Sequence, residues 1–473
     1  MNEKPANRFG LIMAVYLLGL VIGGLYVGMV APVRTVVQGY FGIGNAQGIW
    51  IITIYALFYA AFIPVFAKAA DRMGRKPVFL ICMAVFCLGA VLCGLSGAVA
   101  GSSLFGANSG FAVLLAGRVL QAVGACGVIP LANAEIGSSA PPEKRGFALG
   151  ITAATSGIAN VLGAGVGSAV IGAVGQANWP VLFYACLPFG ILAIVAGVFV
   201  LPKGERGSTG KIDALGSAAL VAMVFLVLLW IQSITEEPGS SPLSVVPFVP
   251  VALIVGAALS TAVLVVAERR SSDPILNPKF FTSFPMLVTL AISFFIGAMT
   301  NSMTLVPEFA EAALGLDAGM GGTYMVVIGA FSMAGPPLGG KLIDRFGAKP
   351  VLVSGLAVAT LGYLFLALVT SSFPNVATLV VGLALLGLGL GFCMGAPVNY
   401  MMFENARQGE VNSALGVSML VRQVAISISP ALYISFVTAG EGAAGYAPML
   451  FAAAASSAIA LVIATFYRKG EQH

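Results

Sequence analysis

Two arginines and a few carboxylates interrupt otherwise apolar sequence, and their chemistry frames everything else. Arg118 and Arg422 each lie about midway along a long hydrophobic run. An arginine in hydrocarbon costs about 2.5–3.5 kcal/mol on insertion scales, so each needs a partner or a wet cavity. One option is a bound molecule carrying a carboxylate or similar anion. The other is a set of helix carbonyls together with Gln121 and Gln423, one residue or one turn away. The lone histidine is His473, so any group that carries protons must be a carboxylate. Glu308 and Glu311, three residues apart and so on one helix face, come first. Glu135 comes behind them, since a rim contact with Lys144 or Arg145 would occupy it.

Polar tips on apolar helices extend this set. Tyr26, Tyr55, Tyr59, Asn160, Asn301, Tyr324, Asn399 and Tyr400 could line a cavity for an amphipathic molecule, with ring faces for its body. Each could equally join two helices. Six cysteines all lie in apolar runs without metal-ligand spacing and read as free thiols. No metal or cofactor site is expected. The run from Gly335 nearly spells a phosphate-binding loop, but Leu342 stands where Ser or Thr is required, and the segment is apolar.

One phrase occurs twice. Asp71-Arg72-Met73-Gly74-Arg75-Lys76-Pro77-Val78-Phe79 returns as Asp344-Arg345-Phe346-Gly347-Ala348-Lys349-Pro350-Val351-Leu352. Each copy is a short charged break between long apolar runs. The aspartate closes a helix, where the macrodipole already presents negative charge, so something positive must meet it. Nearby Arg and Lys could do so, or the N-terminus of a helix from another bundle. Gly74 and Gly347 permit the reversal. Arg72, Arg75 and Lys76 are expected to hold the first loop at the cytoplasmic face, and Arg345 and Lys349 belong to the matching switch phrase of the second copy. Such a contact could act as a conformational switch, or the loops could be static.

The elements that must position these groups follow from composition. The chain has 473 residues, 59% hydrophobic and 9% charged, against roughly 25% charged in soluble proteins. Apolar runs of about 20 residues match the length of a membrane-crossing helix. Fourteen spans are expected, over 9–31, 47–69, 78–100, 109–135, 146–172, 180–201, 214–234, 244–267, 284–306, 320–342, 350–371, 376–402, 412–437 and 447–467. The first has no small-residue cleavage site and reads as a retained helix. With the N-terminus inside, every Lys and Arg except Arg34, Arg118 and Arg422 falls in or beside a cytoplasmic segment. The expectation is therefore an all-α, multi-pass plasma-membrane protein with both termini cytoplasmic. The repeat divides it into a six-helix bundle over 1–201, a linker with two extra spans over 202–281, and a second six-helix bundle over 282–473. Polar stretches at 202–213 and 268–279 suit hinges. Small-residue pairs Gly19/Gly23 and Gly24/Gly28, and the series Gly157, Gly163, Gly165 and Gly167, suit close helix crossings.

With these motifs in place the chain resembles the major facilitator superfamily, and in particular its fourteen-span drug:proton antiporter branch. The likeness covers essentially the whole chain. It is carried by Gly48-Ile49-Trp50 through Pro64 leading into the first charged turn, and by Arg118-Val119-Leu120-Gln121-Ala122-Val123-Gly124. Gly335-Pro336-Pro337-Leu338-Gly339-Gly340 before the second turn and Arg422-Gln423 also carry it. Two positions depart from the family pattern. Gly23 stands where the first span usually has an aspartate, and Gly163-Ala164 with Gly167-Ser168 replaces the usual antiporter motif. The resemblance implies alternating-access, proton-coupled transport and no enzymatic activity. The departures and the two arginines favour an amphipathic, anionic cargo, as in bile-acid-type importers. A multidrug efflux antiporter for cationic or neutral lipophilic compounds is the alternative, and a transport-dead membrane sensor a second one. The expected partners are a small organic molecule, protons and lipid, with no nucleic acid and no second subunit.

Overall fold

The computed structural model describes residues 5–473 apart from 44, 49, 101–108, 203–213, 236–247, 271–278, 317–320, 395, 408, 438–441 and 468–473. Among the described residues every regular element is helical. Eleven stretches are long and apolar enough to cross a membrane, and Leu215–Ile231 and Phe284–Thr300 are shorter apolar helices. The helix Arg145–Val174 overlies the fifth expected span. Most of both proposed hinge stretches falls outside the described residues.

Some boundaries differ from expectation for identifiable reasons. The first helix runs Pro5–Phe41, well beyond 9–31, because Pro32 does not end it. The span expected over 109–135 is two helices, Ser109–Cys126 and Val128–Ser139, parted at Gly127. A Cβ on Gly127 would stand 2.7 Å from the Cys82 sulfur. The span over 376–402 breaks likewise into Val376–Cys393 and Ala396–Asn405. Helices Trp50–Met73 and Met325–Phe346 stop at Gly74 and Gly347, whose φ values of 88° and 85° are left-handed. A side chain there would be strained, so the repeated glycine is what ends each helix.

The chain divides into two compact units that are not its two sequence halves. The first comprises 1–135, 155–277 and 408–416; the second comprises 136–154, 278–407 and 417–473. Two helices, Arg145–Val174 and Val411–Ile434, are therefore each divided between the units.

Within the first unit, helices Arg75–Ala100 and Ser109–Cys126 pack along each other through interlocked glycines. A Cβ on Gly117 would lie 2.7 Å from the Cys93 amide nitrogen, and one on Gly89 would lie 2.7 Å from the Gly117 carbonyl. The first helix meets Arg145–Val174 at Gly24 and Gly28, where an added Cβ would lie 2.8 Å from Ala159 Cβ and 2.0 Å from the Asn160 carbonyl. Gly23 and Gly157 have nothing within 4 Å, so only part of the expected glycine set makes crossings. The helix Ala214–Thr235 leans on Trp50–Met73, with Phe225 4.9 Å from Phe58. Its companion Val249–Arg270 buries only Ala257, Leu264 and Ala267.

The second unit uses hydroxyls more than rings. Its core spans Val288 to Tyr467. Ser293 meets Ser418 at 2.7 Å, Thr360 donates to Ser457 at 2.9 Å, and Tyr363 donates to the Met299 carbonyl at 2.6 Å. Gly335 and Gly391 bring their helices into backbone contact, a Cβ on Gly335 falling 2.4 Å from Gly391 Cα.

Filling a backbone contact should cost about 1–3 kcal/mol through overpacking. Gly28→Ala is therefore expected to lower the melting temperature in detergent. Gly157→Ala, which enters open space on a helix, should leave it unchanged or raise it. Equal effects of the two would contradict this packing.

Candidate functional site

The repeated phrase builds the same anchor in each unit. In the first, Asp71 Oδ1 accepts from the Asn412 amide at 3.1 Å and from Asn412 Nδ2 at 2.6 Å. Asp71 Oδ2 accepts from the Ser413 amide at 2.8 Å and from its hydroxyl. Those residues open the helix Val411–Ile434. In the second unit, Asp344 Oδ1 accepts from the Gly146 amide at 2.6 Å and Oδ2 from the Phe147 amide at 2.9 Å. These open the helix Arg145–Val174. Of the two partners the sequence leaves possible, both aspartates take a helix N-terminus. Free amides and positive dipole there stabilise a carboxylate.

The lysine of the phrase performs the opposite task. Lys76 Nζ donates to the Val198 and Leu201 carbonyls at 2.6 and 2.9 Å, at the end of helix Leu187–Val200. Lys349 Nζ donates to the Thr465 and Tyr467 carbonyls at 2.7 and 2.9 Å, at the end of helix Ala447–Phe466. A cation on a helix C-terminus answers its negative dipole. These lysines therefore bind protein carbonyls, a contact the sequence did not point to.

The copies then diverge. Asp71 and Arg72 are buried, at 8% and 6% exposure. Asp344 is half-buried and Arg345 exposed, with its guanidinium 5.2 Å from the Phe346 ring. Arg75 pairs with Glu135 at 3.0 Å, while Ala348 takes its place in the second copy. Within the first unit, Glu135 thus meets Arg75, a pairing the sequence did not point to. Arg145, in the second unit, lies over the Phe403 ring at 4.7 Å.

A second repeat was missed in the sequence and is legible there. Gly146-Phe147-Ala148-Leu149-Gly150 is matched by Asn412-Ser413-Ala414-Leu415-Gly416. These are the helix starts that receive the carboxylates. A Cβ on Gly150 would lie 2.1 Å from the Pro336 carbonyl, and one on Gly416 would lie 2.5 Å from Ala67 Cβ. Each helix start is thereby pressed against the helix that carries its aspartate.

Of the expected cavity residues, a cluster forms around Arg118, which is 2% exposed. Its Nε donates to the Ile51 carbonyl and its Nη1 to Gln121 Oε1, both at 3.0 Å. Its guanidinium lies 4.4 Å from the Tyr55 ring, which stacks on half-buried Tyr59 at 5.8 Å. Tyr26, also buried, donates to the Phe183 carbonyl at 3.4 Å. The Arg118 charge is met inside the unit, the second of its two sequence options. Asn160 is exposed, Asn399 is buried at 4%, and Arg422, Gln423, Tyr324 and Tyr400 are half-buried. The side chain of Asn301 lies outside the described residues. Arg422 backs onto Gly297, where a Cβ would stand 3.0 Å from its Cγ.

Glu308 is exposed on the helix Val306–Leu314, while Glu311 is half-buried. Glu311 Oε1 accepts from the Gly321 amide at 3.0 Å, so it caps the next turn. All six cysteines are free. Among the described residues no group of three His, Cys, Asp or Glu could hold a metal ion.

The difference between the anchors is measurable. Asp71→Asn removes a buried charge with four donors and should lower stability by on the order of 2 kcal/mol. Asp344→Asn, with two backbone donors and more exposure, should cost about half that. Thermal unfolding of the two variants in detergent checks the order. A larger effect at Asp344 would contradict it.

The profile of the Major Facilitator Superfamily matches residues 16–430. The uncharacterized MFS-type transporter YfiU of Bacillus subtilis is 30% identical over 446 residues, covering 93% of this chain and 82% of that protein. The multidrug transporter protein MdtP of the same organism is 27% identical, covering 81% and 66%. The crystal structure of the human organic anion transporter MFSD10 superposes with a TM-score of 0.68 at 13% identity, covering 98% and 100%; at that identity it shows the fold alone. The chain belongs to the Major Facilitator Superfamily, whose members are multi-pass membrane transporters of small molecules and not enzymes.

Proposed function

We propose that this protein is a proton-coupled, alternating-access carrier of amphipathic organic anions in the plasma membrane. In this reading fourteen spans form two six-helix bundles and an inserted pair, with both termini cytoplasmic. The observation that carries it is the duplicated anchor, an aspartate on helix N-terminal amides beside a lysine on helix C-terminal carbonyls. Contacts of this kind hold one packing of helices and release on a shift, as a two-state carrier requires.

Roles follow from where the charges lie. Arg118 is engaged by Ile51, Gln121 and Tyr55, so it shapes the first unit and is not the first contact for cargo. Less buried than Arg118, Arg422 is the better candidate to meet a cargo carboxylate, and half-buried rings of the same unit such as Tyr324 suit its apolar body. Glu308 is the better proton carrier, because it is exposed beside the Tyr446 hydroxyl while Glu311 is half-buried on the Gly321 amide. Multidrug relatives such as MdtP support the competing reading, export of lipophilic cations or neutral compounds.

Flux into proteoliposomes, with a pH gradient of either sign and a panel of organic anions and cations, separates the two. Gradient-driven flux of anions is expected, and flux of cations alone would overturn the anion assignment. Arg422→Gln should raise the KM for anions tenfold or more, with little effect on a neutral analogue. Glu308→Gln should remove the dependence on the pH gradient, which Glu311→Gln should keep. Full gradient dependence in Glu308→Gln would rule Glu308 out as the proton carrier.

A further inference from the structure

The duplication extends one turn upstream of the charged phrase. Lys68 and Arg72 in the first copy stand where Lys341 and Arg345 stand in the second. Burial separates the two pairs. Lys68 and Arg72 are 8% and 6% exposed, while Lys341 and Arg345 are both exposed. The neighbouring acid does not neutralise the exposed pair, because the Asp344 carboxylate is taken by the Gly146 and Phe147 amides. Each cation rests on a ring instead. Lys341 Nζ is 5.2 Å from the Phe147 centroid and Arg345 Cζ is 5.2 Å from that of Phe346.

Spacing and exposure describe what such a surface fits. Lys341 and Arg345, four residues apart, share one side of the last turns of helix Met325–Phe346. Beside them Leu338, Leu342 and Phe346, also four apart, form an apolar stripe 49%, 37% and 56% exposed. On a membrane-crossing helix such a stripe faces acyl chains. Two cations flanking its last turns then sit toward headgroup level.

We propose that Lys341 and Arg345 form a binding site for the phosphate of an acidic phospholipid headgroup, with Leu338, Leu342 and Phe346 along its chains. The first copy has no such site, because its equivalent cations are buried in the Asp71 region. The site stands next to the Asp344 anchor but does not depend on the identity of the cargo.

Native mass spectrometry of the full chain in detergent, titrated with phosphatidylglycerol or phosphatidylcholine, tests it without reference to transport. The wild type is expected to retain phosphatidylglycerol in preference. Lys341→Gln with Arg345→Gln should lose roughly thirtyfold in that preference, the weight of two cations at an anionic lipid surface. Lys341→Arg with Arg345→Lys should keep it, as should Arg269→Gln with Arg270→Gln, an exposed basic pair on another helix. An equal loss in the Arg269/Arg270 variant would mean unspecific charge attraction and would overturn the site. So would an absence of preference in the wild type. Displacement of the lipid by inorganic phosphate alone would assign the cations to a soluble anion instead. Both side chains are exposed, so the melting temperature should not move; if the double variant unfolds, Arg345→Gln alone should lose about fivefold.

Discussion

A carboxylate at the C-terminal end of one helix, received by the first amides of another, is the contact on which the rest of this structure depends. Placed alone, Asp71 or Asp344 would add negative charge where a helix is already negative. The amides of Asn412 and Ser413, or of Gly146 and Phe147, convert that penalty into a charge-assisted link. Neighbouring residues serve the same contact. Gly74 and Gly347 end the carrying helices in a left-handed turn. Gly146 must lack a Cβ, which would fall 2.8 Å from Asp344 Oδ1. Gly150 and Gly416 let the receiving helices lie against their partners.

Duplication has left two copies with one geometry and different surroundings. The first adds two side-chain donors, buries its arginine and gains the Arg75–Glu135 pair. The second relies on backbone donors, and its Lys341 and Arg345 stay on the surface over aromatic rings. The packing of the units differs in the same spirit. Around Tyr26, Phe86, Trp179 and Phe183 the first unit is joined by rings. The second is joined by paired hydroxyls such as Ser293 with Ser418.

What the sequence disclosed depended on whether the signal was local. Apolar runs and the repeated phrase were sufficient to place helices and to find both aspartates, because hydropathy and identity are properties of contiguous residues. The pairing of Glu135 with Arg75 was not legible, since the two lie 60 positions apart and no periodicity joins them. Glycine spacing identified candidates for close crossings but not their direction, so Gly28 makes a backbone contact while Gly23 meets nothing. The burial of Arg118 turned on the Ile51 carbonyl, a group that every residue possesses and no composition reveals. The Ala-Leu-Gly repeat at 148–150 and 414–416 was local and readable, and it marks both receiving helices.

The Asp71 anchor also sets an order of events during biosynthesis. Its acceptors and donors are separated by 341 residues, and the segment 408–416 is part of the first unit. At about 5–20 residues per second a ribosome needs roughly 17–70 s to supply the missing piece. During that interval the rest of 1–135 and all of 155–277 are made while the aspartate has no receiving helix. The nascent chain must therefore hold the Asp71 carboxylate without its receiving helix, and the first unit is complete only once residue 416 has been made.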